Sequence, residues 1–253
     1  MRLINKKTNK SYIDYIHYLG GYMAINVNEG NNEPIRKGCI TLGRIAPDFT
    51  AQSSQGPITL SQYQGKWVVL FYEPGDFYAT ATTELVAFEQ LKSEFDKRNT
   101  QLVGVTIDSS FADLDWLYDI YLKTGVKISY PLISDRTAEI ARLYDLVNPD
   151  NIYEISVRDV FIISPMQYIR AVVSYPITCG LNIYELLRLI DSLQITSQYN
   201  VLTPSNWMPG QPVLADQPHT FDELIENMDE QSEKNINCIS WYVCYKNLES
   251  ESY

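Results

Sequence analysis

The chain has 253 residues, 45% of them hydrophobic, which allows one large domain with extensions and a sizeable buried core. With 20 Lys+Arg against 31 Asp+Glu its net charge is −11, which argues against a general binder of nucleic-acid phosphates. No apolar run approaches the roughly 20 residues of a membrane span, the basic start Met1-Arg2-Leu3-Ile4-Asn5-Lys6-Lys7 lacks the apolar stretch of a signal peptide, and four cysteines are too few for a disulfide scaffold, which fits a reducing, cytoplasmic setting.

Residues 1–40 read as an N-terminal extension. Tyr12, Ile13, Tyr15, Ile16 and Tyr18 predict a short apolar or helical piece, and the polar run from Asn28 to Pro34 predicts a loop. The segment is either an arm onto a partner or a loosely ordered leader. The central domain, residues 41–195, opens near Leu42-Gly43-Arg44-Ile45-Ala46-Pro47-Asp48-Phe49-Thr50, followed by a short strand at Ile58-Thr59-Leu60. The apolar run Trp67-Val68-Val69-Leu70-Phe71-Tyr72 predicts a buried strand. A turn from Glu73 to Ala81 then leads into a single helix over about 82–97, with Leu85, Phe88, Leu91 and Phe95 on one side.

A second buried strand is predicted at Gln101 to Ile107, and Asp108-Ser109 reads as the N-cap region of a helix carrying Leu114, Trp116, Leu117 and Ile120. Tyr130 to Asp135 and a helix through Ile140, Leu143 and Tyr144 follow. Val157–Ile163 and Ile169–Val173 read as adjacent strands, joined by the turn Ser164-Pro165-Met166-Gln167. Ile183, Leu186, Leu187, Ile190 and Leu193 form a clear helical stripe. Residues 196–253 read as a C-terminal arm with little periodicity beyond Phe221 to Ile225. The alternation of strands and helices predicts an α/β layer architecture.

The turn Pro74-Gly75-Asp76-Phe77-Tyr78-Ala79-Thr80-Ala81-Thr82-Thr83-Glu84-Leu85 resembles the active-site loop of peroxiredoxins, which reads Pro-x-x-x-Thr-x-x-Cys and continues Thr-Thr-Glu or Pro-Thr-Glu. Gly43 to Phe49 is similar to the family's Gly-x-x-Ala-Pro-x-Phe opening. Asp108, Ser109 and Trp116 match its Asp-Ser-x-x-x-His-x-x-Trp segment, with Asp113 at the His position. Thr203-Pro204-Ser205-Asn206-Trp207 resembles the start of the arm in the one-cysteine-type group, and the tail Cys238 to Cys244 looks like the Cys-x-x-x-x-x-Cys tail of archaeal-type members. The resemblance covers about 42–248. It implies a thioredoxin-like fold with a central mixed sheet flanked by helices, plus a C-terminal dimerisation arm. It also implies thiol-dependent peroxide reduction with a thiol reductant, no cofactor, and a homodimer or ring of dimers exchanging the arm, with Trp207, Trp241 and Tyr242 as buried anchors.

The site residues carried over are Pro74, Tyr78 at the Thr position, Ala81 at the peroxidatic Cys position, Arg158 as the family's Arg, and Cys244 at the resolving Cys position. A second family Arg is Leu181 here. Peroxide reduction needs a thiolate that attacks the O–O bond and becomes a sulfenic acid, and Ala81 has no sulfur. Ala81 is either naturally degenerate or a Cys→Ala exchange; departures at Tyr78, Ala79, Thr80 and Leu181 favour the first. Cys179 reads as a small buried apolar residue rather than a relocated nucleophile. Cys238 and Cys244 are either paired locally or not paired at all. Their spacing, with only His17 and His219 as imidazoles, does not fit a zinc site. Glu73 reads as an exposed carboxylate at a strand end. The reading is thus a peroxiredoxin-like protein that is inactive or impaired; the alternative is a non-catalytic assembly protein, such as the peroxiredoxin-like part of a spore coat.

Overall fold

The computed structural model describes residues 41–147, 158–230 and 237–248. The expectations for residues 1–40 lie outside the described residues. Two compact units divide the chain between Leu193 and Gln194.

The first unit is built on seven strands: β1 (Thr50–Ser53), β2 (Gly56–Thr59), β3 (Trp67–Tyr72), β4 (Thr100–Thr106), β5 (Leu132–Ser134), β6 (Arg158–Ile163) and β7 (Ile169–Tyr175). They form one mixed sheet in the order β2-β1-β5-β4-β3-β6-β7. β3 pairs parallel with β4 and antiparallel with β6. This central position explains why β3 is apolar at every residue. Trp67, Val69 and Phe71 enter the core on one face, with Leu85, Phe88, Leu186 and Ile190. Val68, Leu70 and Tyr72 enter the core on the other, with Ile140, Tyr144 and Ile169. A strand covered on both faces reads as a continuous hydrophobic run rather than an alternating one.

The helix expected over 82–97 is two: α1 (Ala79–Gln90) and α2 (Lys92–Lys97), broken at Leu91. Phe95 stays in the same cluster as Phe88 across the break, with ring centroids 5.9 Å apart. α3 (Ser110–Thr124) starts as predicted, with the Ser109 hydroxyl accepting from the Ala112 N–H at 3.3 Å, and stops at the left-handed Gly125. Its buried face is Asp113, Trp116 and Ile120, whereas Leu114 is exposed. α4 (Glu139–Leu143) covers the face opposite α1, and α5 begins at Ile183. The Ser164-Pro165-Met166-Gln167 turn joins β6 to β7, closed by Gln167 N–H to Ser164 O at 2.8 Å with Gln167 in the left-handed region.

Gly104, in the middle of β4, is required by close packing. A Cβ there would lie 2.8 Å from Leu132 Cδ1 and 3.0 Å from Phe71 Cζ, both buried side chains. Gly104→Ala is therefore expected to destabilise the chain by about 1–3 kcal/mol through overpacking, measured as a lower urea midpoint with unchanged slope.

The second unit holds the end of α5 (Ile183–Tyr199), β8 (Val213–Leu214), α6 (Phe221–Glu230), β9 (Asn237–Ser240) and β10 (Val243–Lys246). The three strands form a separate sheet, β8-β10-β9. These three strands, of two to four residues each, show no clear alternation, and the sequence reading does not predict them. Trp207 is buried with Ile195, Val201 and Val213, and its indole donates to Gln211 O at 3.0 Å. It is an anchor of its own unit, not the partner-facing anchor expected. Trp241 and Tyr242 are about half exposed. Among the described residues no helix is long and apolar enough to cross a membrane.

Candidate functional site

The chain leaves β3 at Glu73, whose N–H still donates to Val105 O of the neighbouring strand at 2.8 Å. Pro74 and Gly75 are buried. The Asp76 N–H donates to Asp108 Oδ2 at 2.7 Å, which ties the loop to the end of β4. Phe77 takes the left-handed conformation, an uncommon choice for a bulky side chain. Tyr78 is the N-cap of α1 and supplies no side-chain acceptor. Thr82 closes the first turn instead, its N–H and hydroxyl both donating to Tyr78 O at 2.8 Å. Ala81 sits in that turn, completely buried. Its methyl group belongs to the apolar core beneath the helix.

Ala81 and Glu84 are three residues apart and so share a helix face. Glu84 points to Arg158, the first residue of β6, and both are buried. Glu73 lies beside Glu84 against the same guanidinium, 3.5 Å from Nε. Arg158 Nη1 also donates to the carbonyls of Ile177 and Cys179 at 3.2 and 3.0 Å. The Thr80 hydroxyl donates to the same Ile177 carbonyl at 3.1 Å. One guanidinium thus meets two carboxyl groups and two loop carbonyls in a dry setting. Burial, then the neighbouring Glu84, pushes the Glu73 carboxyl well above the usual range, against the opposing pull of Arg158. Burial and the neighbouring Glu84 thus disfavour the ionised form of Glu73.

Several sequence expectations need correction here. Glu73 is not exposed; only 1% of its surface is accessible, because it ends a strand that continues into the core. Cys179 is not buried; it is an exposed free thiol on the loop before α5. Cys244 is paired with Cys238 in a disulfide. Leu181 contributes a backbone N–H to Glu84 Oε1 at 2.6 Å, and its side chain packs at the edge of the core. Arg158 reaches Glu73, the residue before the 74–81 loop, and shares the Ile177 carbonyl with Thr80. Sequence reading missed the partnership of Glu73, Glu84 and Arg158; the spacing of Glu84 from Ala81 on one helix face was the available signal.

A second acidic group was also missed. Asp113, at the position where the resemblance expects His, is buried and accepts from the Thr106 hydroxyl at 2.6 Å and from the Ser134 hydroxyl. Burial, with Asp113 and Asp108 nearby, pushes the Asp76 carboxyl up to about 8. The unfolded chain loses this proton near pH 3.9. Between about pH 4 and 8 the folded chain therefore binds the extra proton, so stability falls as pH rises through that window and levels off above it. Asp76→Asn is expected to flatten this slope and to raise stability at pH 8.5 by about 1 kcal/mol, the figure reduced for solvent screening at a partly exposed carboxyl. Urea midpoints measured across the window check it.

The fold is that of solved peroxiredoxin structures. The pattern of the AhpC/TSA family matches residues 42–172, and that of the C-terminal domain of 1-Cys peroxiredoxin matches residues 192–231. The chain belongs to the peroxiredoxin family, whose reaction by homology is thiol-dependent peroxide reduction. It is 44% identical over 217 residues to Peroxiredoxin 2 of Caldanaerobacter subterraneus, covering 85% of this chain and 97% of that one. It is 42% identical over 204 residues to the peroxiredoxin of Thermoplasma volcanium, covering 81% and 97%. Among solved structures, a yeast mitochondrial 1-Cys peroxiredoxin aligns with TM-score 0.74 and 35% identity over 83% of this chain and 100% of that one. A cysteine-to-serine mutant of the peroxiredoxin 6 of Arenicola marina aligns with TM-score 0.72 and 33% identity over 83% and 99%.

Proposed function

We propose that this chain is a peroxiredoxin of the one-cysteine or archaeal-type group whose peroxide chemistry is lost at the reacting atom. Ala81 occupies the peroxidatic position, Tyr78 the position of the orienting Thr, and Arg158 that of the guanidinium. The observation that carries the reading is the completely buried methyl of Ala81 in the first turn of α1, on the helix face that leads through Glu84 to Arg158. A thiolate there would have the helix N-terminus and a nearby cation to lower its pKa; a methyl group cannot attack the O–O bond. The guanidinium is itself engaged by Glu73, Glu84 and two carbonyls, so its capacity to bind a peroxide oxygen is reduced as well. Stopped-flow peroxide consumption by the unmodified chain tests the reading. Rapid turnover, well above that of an ordinary thiol, would sink it.

The same reading takes residues 1–40 as an extension, 41–195 as the peroxiredoxin-like domain and 196–253 as a dimerisation arm, in a cytoplasmic protein that draws on a thiol reductant. The half-exposed Trp241 and Tyr242, with Ile239 beside them, support the arm as a contact surface. At micromolar concentration, light scattering is expected to give at least a dimer. Trp241→Ala with Tyr242→Ala is expected to weaken it by about tenfold or more. A monomeric unmodified chain would count against the arm's role.

A further inference from the structure

Three carboxyl groups meet where the 74–81 loop touches the sheet. Asp76, on the loop, faces Asp108 beyond the end of β4 and Asp113 on the buried side of α3. Tyr78, with its ring beside Gly75, is a further ionisable side chain at this turn. Asp108 accepts the Asp76 N–H. Asp113 has a donor at each oxygen, the Thr106 hydroxyl of β4 at Oδ1 and the Ser134 hydroxyl of β5 at Oδ2. The two Asp76 oxygens are buried and meet no N–H or O–H donor. What lies within hydrogen-bonding reach of them is the Asp113 carboxyl. Two carboxyl groups bond to each other only when one carries a proton. The donors decide which one does: two hydroxyls favour the ionised form of Asp113, and a buried carboxyl without donors favours its neutral form. Asp113 stands where the family pattern has His, so this pair belongs to this chain rather than to the pattern.

We infer that a single proton, held between Asp76 and Asp113, latches the 74–81 loop to α3, and that the loop opens by giving this proton up. In the closed loop Asp76 is the donor and Asp113 the acceptor. In the open loop Asp76 reaches water, ionises as an ordinary Asp does, and its proton passes to solvent. Closing takes a proton back. Opening is therefore favoured as pH rises, and the dependence levels off once the closed form has itself lost the proton and two like charges face each other. What else holds the loop is slight: the Asp76 N–H on Asp108, and the contact of Phe77 with Trp116, ring centroids 6.4 Å apart. The left-handed backbone of Phe77 favours release. The latch involves neither sulfur nor peroxide, so it stands or falls separately from the peroxidase reading.

Hydrogen–deuterium exchange of the 74–81 peptide in the full chain, corrected for the intrinsic base catalysis of exchange, reads the opening. It is expected to become about tenfold or more frequent between about pH 5 and pH 8, then to level off near the Asp76 value of about 8. The loop is expected to exchange ahead of β3 at every pH, as a local opening does. Asp76→Asn supplies an N–H donor to Asp113 in place of the proton and is expected to leave the opening flat with pH. Asp108→Asn keeps an oxygen acceptor for the Asp76 N–H and is expected to preserve the rise. Carboxyl carbon NMR of the unmodified chain gives a readout that needs no variant, with Asp76 expected neutral at about pH 6. A flat profile in the unmodified chain, a rise that survives Asp76→Asn, or loop exchange only together with β3 would overturn the inference. So would loss of the rise in Asp108→Asn, or an ionised Asp76 at about pH 6.

Discussion

Hydrogen peroxide is expected to disappear no faster with this chain than with an ordinary exposed thiol, and Ala81→Cys is expected to restore only part of a peroxidase rate. An ordinary thiol has a pKa of about 8.5 and is a few per cent thiolate at neutral pH. Ala81→Cys puts sulfur into the first turn of α1, where the dipole favours the thiolate, so a gain of about tenfold to a hundredfold is expected. Two features limit it. Arg158 is already engaged on several donors, and Tyr78 presents a large ring beside Gly75 where the family has a short hydroxyl. Adding Tyr78→Thr is expected to bring at least about another tenfold by supplying a donor for the peroxide. The new side chain enters a fully packed site, so each variant's melting temperature is measured beside its rate. Capture of the sulfenic acid by Cys244 first requires reduction of the Cys238–Cys244 disulfide, and mass spectrometry for an 81–244 crosslink with and without dithiothreitol reads this directly. Fast turnover by the unmodified chain that Cys179→Ser abolishes would instead make the exposed Cys179 the nucleophile.

Arg158→Met is expected to cost about 3–5 kcal/mol of stability at neutral pH, because it leaves two buried carboxyl groups without their cation. Glu73→Gln is expected to cost less than about 1 kcal/mol, since burial and the neighbouring Glu84 already disfavour the ionised form of Glu73 and an amide of the same shape replaces it. Urea denaturation of the two variants measures the contrast. A loss below about 1 kcal/mol at neutral pH would show that the cluster does not hold the loop against the sheet. A large loss in Glu73→Gln would mean instead that its carboxyl is ionised against Arg158.

Much of the fold was legible because it is written in local periodicity. The six-residue apolar run of β3, the N-cap at Ser109, the Ser164–Gln167 turn and the stripe from Ile183 to Ile190 each depend on neighbours in sequence. Elements with little internal pattern were not legible. Leu91 breaks a helix that the apolar pattern through Phe95 would continue. β8, β9 and β10 are too short to show alternation.

At the site, sequence by itself determined the chemistry that is missing: Ala81 carries no sulfur, and Leu181 no guanidinium, whatever the chain's shape. It also determined which helix face Ala81 shares with Glu84. Only the tertiary structure decided the state of the charges. Glu73, Glu84 and Arg158 come from a strand end, a helix and a distant strand, and nothing in the local pattern around Glu73 distinguishes an exposed carboxylate from a buried one. Their convergence in a buried space sets the cost of each charge, and that cost, not residue type, pushes the Glu73 carboxyl above the usual range. The same holds at the tail. The spacing of Cys238 and Cys244 permits a local pair, but the register of β9 against β10 is what brings the two sulfurs into contact.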